Sequence, residues 1–269
     1  MSGGLVGHAE VVMGTVVSFV LVPGALGPAP LEAALHEACA ELHRIDAVFS
    51  TWKPESPISR LRRGEVTLGG LALEGLGDEV AAVLAACEGA RAVSGGCFDP
   101  WALPGGIDPS GYVKGWAAGR ARDRLLDAGV DGVLVNAGGD IATAGGPAPG
   151  AHWRVGVRHP WRADALACVV EADGAVATSG SYERGAHLFD PRAGRPSLAL
   201  ASATVVGPDP GLADAYATAL AVSGLERTDW LPTTAGYGAY LIGNDGSEVV
   251  VGEVAIVDPA ATDAGAAPS

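Results

Sequence analysis

Residues 95–119 read GGCFDPWALPGGIDPSGYVKGWAAG and constrain the fold more than any other part of the chain. The first half is dense in glycine and proline, which favours consecutive turns. The second half predicts a helix from about Lys114 to Ala128 that ends at Gly129. A glycine-rich connection that enters a helix can present free N–H groups to a phosphate, with Lys114 adding positive charge. An ordinary turn-rich connection explains the same residues and is favoured on spacing alone, because the usual phosphate-loop spacing is absent.

Helices and strands are mixed on both sides of this segment. Upstream, the patterns predict strands within 9–22, a helix over 31–47, a short strand or turn over 48–51 and a helix over 79–93. Downstream, they predict strands over 132–136, 153–159, 167–178, 201–207, 237–244 and 248–257, and a helix over about 211–223. Several strand pairs look antiparallel, so the pattern favours an α+β fold over a doubly wound sheet. We expect one domain over residues 1–257 and a disordered tail over 258–269, where the sequence is low in complexity.

The charge balance excludes several classes of protein. The chain has 269 residues, with 17 Lys and Arg against 31 Asp and Glu, and its formal net charge is −14. A nucleic-acid binder needs a basic surface, and docking on anionic lipid needs a basic patch, so neither is expected. An anionic small molecule would need a local group of donors or a metal ion to overcome this charge.

The cysteines and the N-terminal segment give further expectations. None of the four cysteines forms a C-x-x-C pair, so the sequence supports neither a zinc site nor a thioredoxin-like site, and buried thiols are expected. The first 15 residues lack the charged and apolar regions of a secretory signal, and no apolar run is long enough for a transmembrane helix. These patterns predict a cytoplasmic protein with no stable membrane insertion.

Polar side chains at strand ends mark possible ligand contacts. Asn136-Ala-Gly-Gly-Asp140 follows an apolar strand, and its glycine pair would let a ligand approach the backbone. A plain hairpin turn is the better explanation for that segment taken alone. Thr178-Ser179 also follows a strand and offers two hydroxyl groups at a turn. A simple strand end explains it equally.

Two pairs of residues have spacings that suit catalysis or metal binding. His187 precedes Asp190 by three residues before a turn, and a histidine there can carry a proton, although an Asp that starts the turn and a packed His fit as well. Asp214 and Thr218 are four residues apart, so both lie on one helical face and can offer oxygen ligands to a hard cation. A favourable position for Asp214 in the first helical turn is the simpler explanation without other information.

Trp52 lies in a polar, proline-rich segment with no helix or strand face to receive it. An indole is costly to leave in water, and a planar ligand would supply the missing surface. Packing back on Phe49 or on the 31–47 helix ranks equally on sequence alone.

Nine segments occur together in one order, and that order resembles the ApbE-like FAD:protein FMN transferases. The segments are MGTVVSF at 13–19, FSTWKPESPISRL at 49–61, GGCFDP at 95–100, IDPSGYVKGWAA at 107–118, VNAGGDIATAG at 135–145, ATSGSYER at 177–184, HLFDPRAGRP at 187–196, ATVVGP at 203–208 and ADAYATAL at 213–220. Each segment is weak evidence alone, but together they cover most of the chain.

The resemblance implies a mixed sheet with helices and a flavin cleft between two subdomains. It also implies Mg²⁺-dependent transfer of FMN from FAD to a Thr or Ser hydroxyl of a target flavoprotein, with release of AMP. An FAD pyrophosphatase and a non-catalytic flavin-binding protein stay open as alternatives. By motif, the resemblance implies flavin contacts at Met13, Trp52, Phe98, Asp99, Pro100, Trp101, Asp108, Lys114 and Phe189, metal ligands at Gly111, Asp214 and Thr218, and a catalytic role for His187.

The chain departs from the family pattern at four places, the mildest being Trp52, where members often have Tyr and a stacking surface is kept. Arg62 stands where members often have Asn, and only eight residues, 100–107, fill a connection that is usually longer. Ala217 stands where some members have an acidic residue, which leaves the implied metal with one fewer possible carboxylate.

Overall fold

The computed structural model describes residues 4–180, 188–197, 199–231 and 236–257. The helices in these ranges are α1 (Pro28–Phe49), α2 (Pro57–Arg62), α3 (Leu68–Leu73), α4 (Gly77–Val93), α5 (Ser110–Asp127) and α6 (Pro210–Ser223). The strands are β1 (Val6–Val12), β2 (Thr15–Val22), β3 (Gly132–Ala137), β4 (Asp140–Ala144), β5 (Trp153–Arg158), β6 (Leu166–Ala172), β7 (Ala175–Gly180), β8 (Phe189–Asp190), β9 (Arg195–Pro196), β10 (Leu200–Gly207), β11 (Gly238–Gly243), β12 (Glu248–Val251) and β13 (Ile256–Val257).

An eight-stranded antiparallel sheet organises these elements. Its strand order is β1-β2-β3-β4-β7-β10-β11-β12. A second, three-stranded sheet has the order β13-β6-β5, and β8 pairs with β9 in a short ribbon. The expected α+β class is therefore confirmed.

The large sheet is covered on both faces, which gives three layers. Strand β11 shows the arrangement, because Ala239 and Leu241 belong to the core beneath the helices. Tyr240 and Ile242, on the alternate face, belong to a second core formed with the three-stranded sheet. The helices therefore lie on one face of the large sheet and the small sheet lies on the other.

Helices α5 and α6 approach each other unusually closely. A Cβ added at Gly115 would lie 2.0 Å from the carbonyl oxygen of Pro210 and 3.1 Å from the Cβ of Asp214. On the other side of the contact, a Cβ at Gly211 would lie 2.7 Å from the ring of Tyr112. Glycine is unfavourable inside a helix. Its presence at positions 115 and 211 is explained by the close packing of α5 and α6, which leaves no room for a side chain there.

Helix α1 packs against α5 through an edge-to-face aromatic pair and an ion-pair network around the buried Glu41. The Phe49 and Trp116 ring centroids are 5.6 Å apart. Glu41, only 6% exposed, accepts hydrogen bonds from Arg44 at 2.9 and 3.0 Å and lies 3.5 Å from Arg120 of α5. These contacts hold the C-terminal end of α1 beside the start of α5.

The structure confirms most of the expected elements and corrects four of them. Residues 48–51 were expected to be a strand or turn, but Val48 and Phe49 continue α1, because they extend the buried stripe that contains Ile45. The helix expected from Lys114 begins at Ser110. Two ranges that were each expected to be one strand form two strands: β6 and β7 lie where 167–178 was expected, and β12 and β13 lie within 248–257.

Other features of the chain bear on expectations made from sequence. The short helices α2 and α3 were not expected from the pattern, and each begins at a side-chain cap, on Ser56 and Thr67 respectively. All four cysteines are buried and free, as expected. Within the described ranges, no helix combines the length and apolar content needed to cross a bilayer. The tail expected over 258–269 lies outside the described residues.

We predict that Gly115→Ala destabilises the fold by about 3 kcal/mol, because the new methyl group would overlap the Pro210 carbonyl and push α5 and α6 apart. Gly89→Ala is the matched control, since Gly89 lies in α4 with no atom within 4 Å of an added Cβ. We expect that control to stabilise the chain by about 0.5–1 kcal/mol. Urea unfolding of both variants measures the difference, and equal stability of the two would contradict the close approach.

Candidate functional site

A cavity of about 1020 Å³ opens at one end of the large sheet. All three layers contribute to its lining: α1, α5 and α6 from the helices, the β1–β2 and β3–β4 turns from the large sheet, and β5 from the small sheet. The volume lies at the upper end of the range typical of small-molecule sites. The cavity is therefore large enough for an extended ligand.

Residues of α5, α6 and β7 line this cavity side by side. Asp214 is 2% exposed, and one of its carboxylate oxygens accepts a hydrogen bond of 3.3 Å from the Gly115 amide. The Thr218 hydroxyl lies 3.3 Å from the Ser179 hydroxyl. Gly111 touches this group, because a Cβ added to it would lie 3.4 Å from the Thr218 hydroxyl oxygen. Gly111 and Thr218, two of the three metal ligands implied by the resemblance, therefore lie side by side, and Asp214 lines the same cavity one helical turn before Thr218.

The interpretation of Asp214 as a first-turn residue of the helix is wrong, because α6 has no acidic residue in its first turn. Asp209 caps α6, since its side chain accepts a hydrogen bond of 2.7 Å from the Leu212 amide. Asp214 lies one turn further along, facing α5. Burial of the neighbouring Cys87, and to a lesser extent the negative charge of Asp214, raises the pKa of the Cys87 thiol to about 12. That thiol therefore stays protonated and inert at neutral pH.

A buried ion pair fixes Lys114 beside the same group. Lys114 of α5 donates to Asp140 at the start of β4, and the Asp140 carboxylate is 2% exposed. Gly138 and Gly139 form the two-residue turn that precedes it, both with positive φ, so the hairpin interpretation is confirmed. The Gly139 amide donates a hydrogen bond of 2.8 Å to the Asn136 side chain. Asn136, Gly138, Gly139 and Lys114 all line the cavity, so this turn is also part of the site.

Two further carboxylates are engaged by the chain itself. One oxygen of Asp108 accepts a hydrogen bond of 3.1 Å from the Ser110 amide at the start of α5. Asp99 accepts one of 2.8 Å from Arg91 and one of 3.0 Å from the Trp101 amide. Both residues line the cavity. The two oxygens of Asp99 are both occupied by hydrogen bonds that hold the chain segment forming this part of the cavity wall.

Met13 and Trp52 lie at the mouth of the cavity. Met13 has a φ of +54° in the β1–β2 turn, a left-handed conformation that is strained for a side chain without a local polar group. Trp52 is 92% exposed although it lines the cavity. Packing of Trp52 on Phe49 or on the 31–47 helix is wrong, because neither covers so exposed an indole, and the Phe49 ring contacts Trp116 instead.

The remaining residues suggested by the resemblance fall in different surroundings. Phe98 is 4% exposed and belongs to the main core, where it packs against Gly111. Pro100 and Phe189 line the cavity. Trp101 does not line it and lies on the outer side of the wall with Glu88 and Arg91. The structure therefore brings together all of these residues that it describes except Trp101.

His187 lies outside the described residues, so its place relative to the cavity is a prediction only. Its partner in the sequence motif, Asp190, forms a turn, since the Arg192 and Ala193 amides donate to its carboxylate at 2.9 and 3.3 Å. Although burial opposes the change, hydrogen bonds from Arg192 and these amides lower the pKa of Asp190. The interpretation of Asp190 as a turn-forming residue is confirmed.

The short connection at 100–107 is held by Arg62. The Arg62 guanidinium donates to the carbonyl oxygens of Gly105 and Pro104, the second at 2.6 Å. Leu103 of this connection lines the cavity. Two departures from the family pattern, the arginine and the short connection, thus form one structural unit.

Sequence reasoning did not select Ser179 or Arg158 as site residues. The sequence shows Ser179 only as a hydroxyl at a strand end, and its contact with Thr218 depends on the fold. Arg158 ends β5, whose alternating pattern indicates a strand and nothing about the cavity. The described lining holds four carboxylates, Asp46, Asp99, Asp108 and Asp214, against three cations, Lys53, Lys114 and Arg158. An anionic ligand would therefore benefit from a bound metal ion.

Comparison with known proteins gives a family match. A model described as the ApbE family matches residues 13–106 and 103–241. A FAD:protein FMN transferase of Rhodobacter capsulatus is 37% identical over 135 residues, which cover 46% of this chain and 25% of that protein. A protein of the same name from Escherichia coli K12 is 32% identical over 151 residues, which cover 52% of this chain and 43% of that protein. The chain thus spans less than half the length of these relatives.

Solved structures share the fold. The ApbE protein of Thermotoga maritima superposes with a TM-score of 0.76 at 23% identity, covering 93% of this chain and 97% of that one. The flavinyl transferase ApbE of Pseudomonas stutzeri gives a TM-score of 0.76 at 22% identity, covering 93% and 96%. Since the family model matches most of the chain, the chain belongs to the ApbE family.

Proposed function

We propose that this chain is an FAD:protein FMN transferase that depends on Mg²⁺. In the proposed reaction, FMN passes from FAD to a Thr or Ser hydroxyl of a target flavoprotein and AMP is released. The names of the similar proteins support the activity. The observation that carries it is that Asp214, Thr218 and Gly111, the metal ligands implied by the resemblance, all line one cavity of about 1020 Å³, in which Asp214 is buried.

The residues in this group fit a magnesium ion. A buried carboxylate, a hydroxyl and a nearby backbone carbonyl are hard oxygen donors, which Mg²⁺ prefers. Asp214, Thr218 and the Gly111 carbonyl would hold the ion, as expected from the sequence. A bound Mg²⁺ would supply positive charge to offset the charge that develops on the phosphoryl oxygens.

The transfer forms one bond and breaks one bond at phosphorus. The acceptor hydroxyl oxygen bonds to the FMN phosphorus, and the bond from that phosphorus to the AMP oxygen breaks, so AMP leaves as the phosphate anion. Positioning and electrostatics dominate such transfers. Lys114, fixed by Asp140, would place a cation near the flavin or its phosphates. We assign to His187 the acceptance of the hydroxyl proton or the ordering of the acceptor.

The flavin would bind at the cavity mouth. Met13 and Trp52 line the cavity there, and their side chains suit a flat, partly apolar ring. Trp52 is 92% exposed, so a stacked ring would cover surface that water now covers. The strained backbone of Met13 is typical of positions kept for a function rather than for stability.

Incubation with FAD, Mg²⁺ and a panel of candidate flavoproteins tests this function. We expect an acceptor whose intact mass increases by one FMN while AMP appears in equal amount. Release of FMN and AMP without an adduct would instead identify an FAD pyrophosphatase. Tight FAD binding without AMP release would identify a non-catalytic flavin-binding protein, and either outcome would overturn the proposal.

We predict that Asp214→Asn reduces the transfer rate by about 10²–10³-fold at limiting Mg²⁺, because it removes the buried charge that would hold the ion. FAD binding should weaken less. Asp209→Asn is the matched control, since it makes the same change on α6 outside the cavity and asparagine also caps a helix. Rates measured against Mg²⁺ concentration separate the two, and a wild-type rate for Asp214→Asn would refute the metal assignment.

We predict that Trp52→Ala raises the apparent Kd for FAD about tenfold, which corresponds to ~1.4 kcal/mol of lost stacking and burial. Trp52→Tyr should restore most of the affinity. Trp161→Ala is the control, because Trp161 is 53% exposed and does not line the cavity. Fluorescence titration gives the Kd values, and unchanged affinity in Trp52→Ala would place the flavin elsewhere.

A further inference from the structure

A second group of metal-binding side chains lies outside the cavity, between β1 and α1. His8 and Glu10 come from β1 and Cys39 comes from α1, and their ligand atoms all lie within 4.8 Å of one another. None of the three lines the cavity. Histidine, carboxylate and thiol together make a ligand set that zinc accepts.

The distances within this group suit tetrahedral coordination. His8 Nε2 lies 3.5 Å from Cys39 Sγ and 3.9 Å from Glu10 Oε2. With zinc bonds of about 2.0–2.3 Å to nitrogen, oxygen and sulfur, neighbouring ligands of a tetrahedral ion are separated by about 3.3–3.6 Å. Of the three pairs, His8–Cys39 already has this separation, and His8–Glu10 needs a side-chain shift of roughly half an ångström. The Cys39 and Glu10 ligand atoms lie within 4.8 Å of each other.

The repeat of two residues along a strand and the repeat of about four residues along a helix bring these side chains together. His8 and Glu10 are two residues apart on a strand, so both point to the same side. Cys39 and His43 are four residues apart on α1, so both lie on the face toward β1. His43 Nε2 is 2.7 Å from Glu10 Oε1, the oxygen that does not face His8. His43 can therefore orient the carboxylate while its other oxygen binds an ion.

The charges in this group also favour a cation. A Cys39 thiolate and the Glu10 carboxylate would place two negative charges within 4.8 Å of each other. A divalent cation would offset both negative charges, and the thiol would release its proton on binding. His8 is 38% exposed and Glu10 29%, so water can reach the place where a fourth ligand would bind.

We propose that His8, Glu10 and Cys39 bind one zinc ion, with water as the fourth ligand and His43 as the residue that positions Glu10. The ion would tie the edge strand of the large sheet to the longest helix. The sequence does not predict this site, because His8 and Cys39 are 31 residues apart and no C-x-x-C pair is present.

Zinc binding to the Asp214→Asn chain tests the proposal, since that background removes the cavity's own candidate metal ligand. Competition with a chromophoric chelator should show one zinc per chain. We expect Cys39→Ser to weaken binding by more than about 100-fold and His43→Gln by roughly 10–100-fold. Cys168→Ser is the matched control, because Cys168 is an equally buried thiol of β6 and is 6% exposed against 8% for Cys39.

A second measurement uses the unsubstituted chain and therefore does not depend on the folding of any variant. Zinc should protect Cys39 from alkylation, as mapped by peptide mass, and Co²⁺ should give a thiolate charge-transfer band that Cys39→Ser lacks. Equal zinc uptake by Cys39→Ser and Cys168→Ser would overturn the proposal. The absence of both uptake and Cys39 protection would reduce the group to the His43–Glu10 ion pair and would overturn it as well. None of these outcomes depends on whether the chain transfers FMN.

Discussion

The contact of α5 with α6 at Gly115 is the constraint on which the candidate site depends. The Pro210 carbonyl occupies the space where any other residue at 115 would have a side chain. This approach brings the Gly115 amide to the Asp214 carboxylate and brings Gly111 to Thr218. The buried acid therefore accepts a hydrogen bond from the backbone of the neighbouring helix. A wider helix spacing would leave Asp214 as a buried charge without these neighbours, which is costly.

The sequence predicted elements with strong periodicity and failed where packing decides. The buried stripe of α1 and the hairpin at Gly138-Gly139 are local patterns, so both could be predicted. The start of α5 could not, because its glycines are poor helix formers and are compensated by contact with α6, a helix about 100 residues later in the chain. Similarly, 167–178 looks like one strand, yet Gly174 adopts a φ of +117° and sends β6 and β7 to different sheets.

The site itself could be assembled from motifs only as a set of residue names. Asp214 and Thr218 share a helical face, which spacing reveals, but the contact of Thr218 with Ser179 joins two elements that are 39 residues apart. Trp101 shows the opposite error, since its neighbours in the motif line the cavity and its own ring lies outside. Motif membership indicates proximity along the chain, whereas the direction of each side chain depends on the turn in which it lies.

The hydrogen bonds between Arg62 and the 100–107 connection link the length of that connection to the residue at position 62. The arginine reaches the Pro104 and Gly105 carbonyls only because the connection is short enough to lie beside α2. A longer connection would move these carbonyls, and a guanidinium at position 62 would lose its acceptors. A shorter side chain at position 62 would leave the Pro104 and Gly105 carbonyl oxygens without the hydrogen bonds that Arg62 donates. The length of the connection and the residue at position 62 therefore depend on each other, since an insertion within 100–107 and the loss of Arg62 would break the same two hydrogen bonds.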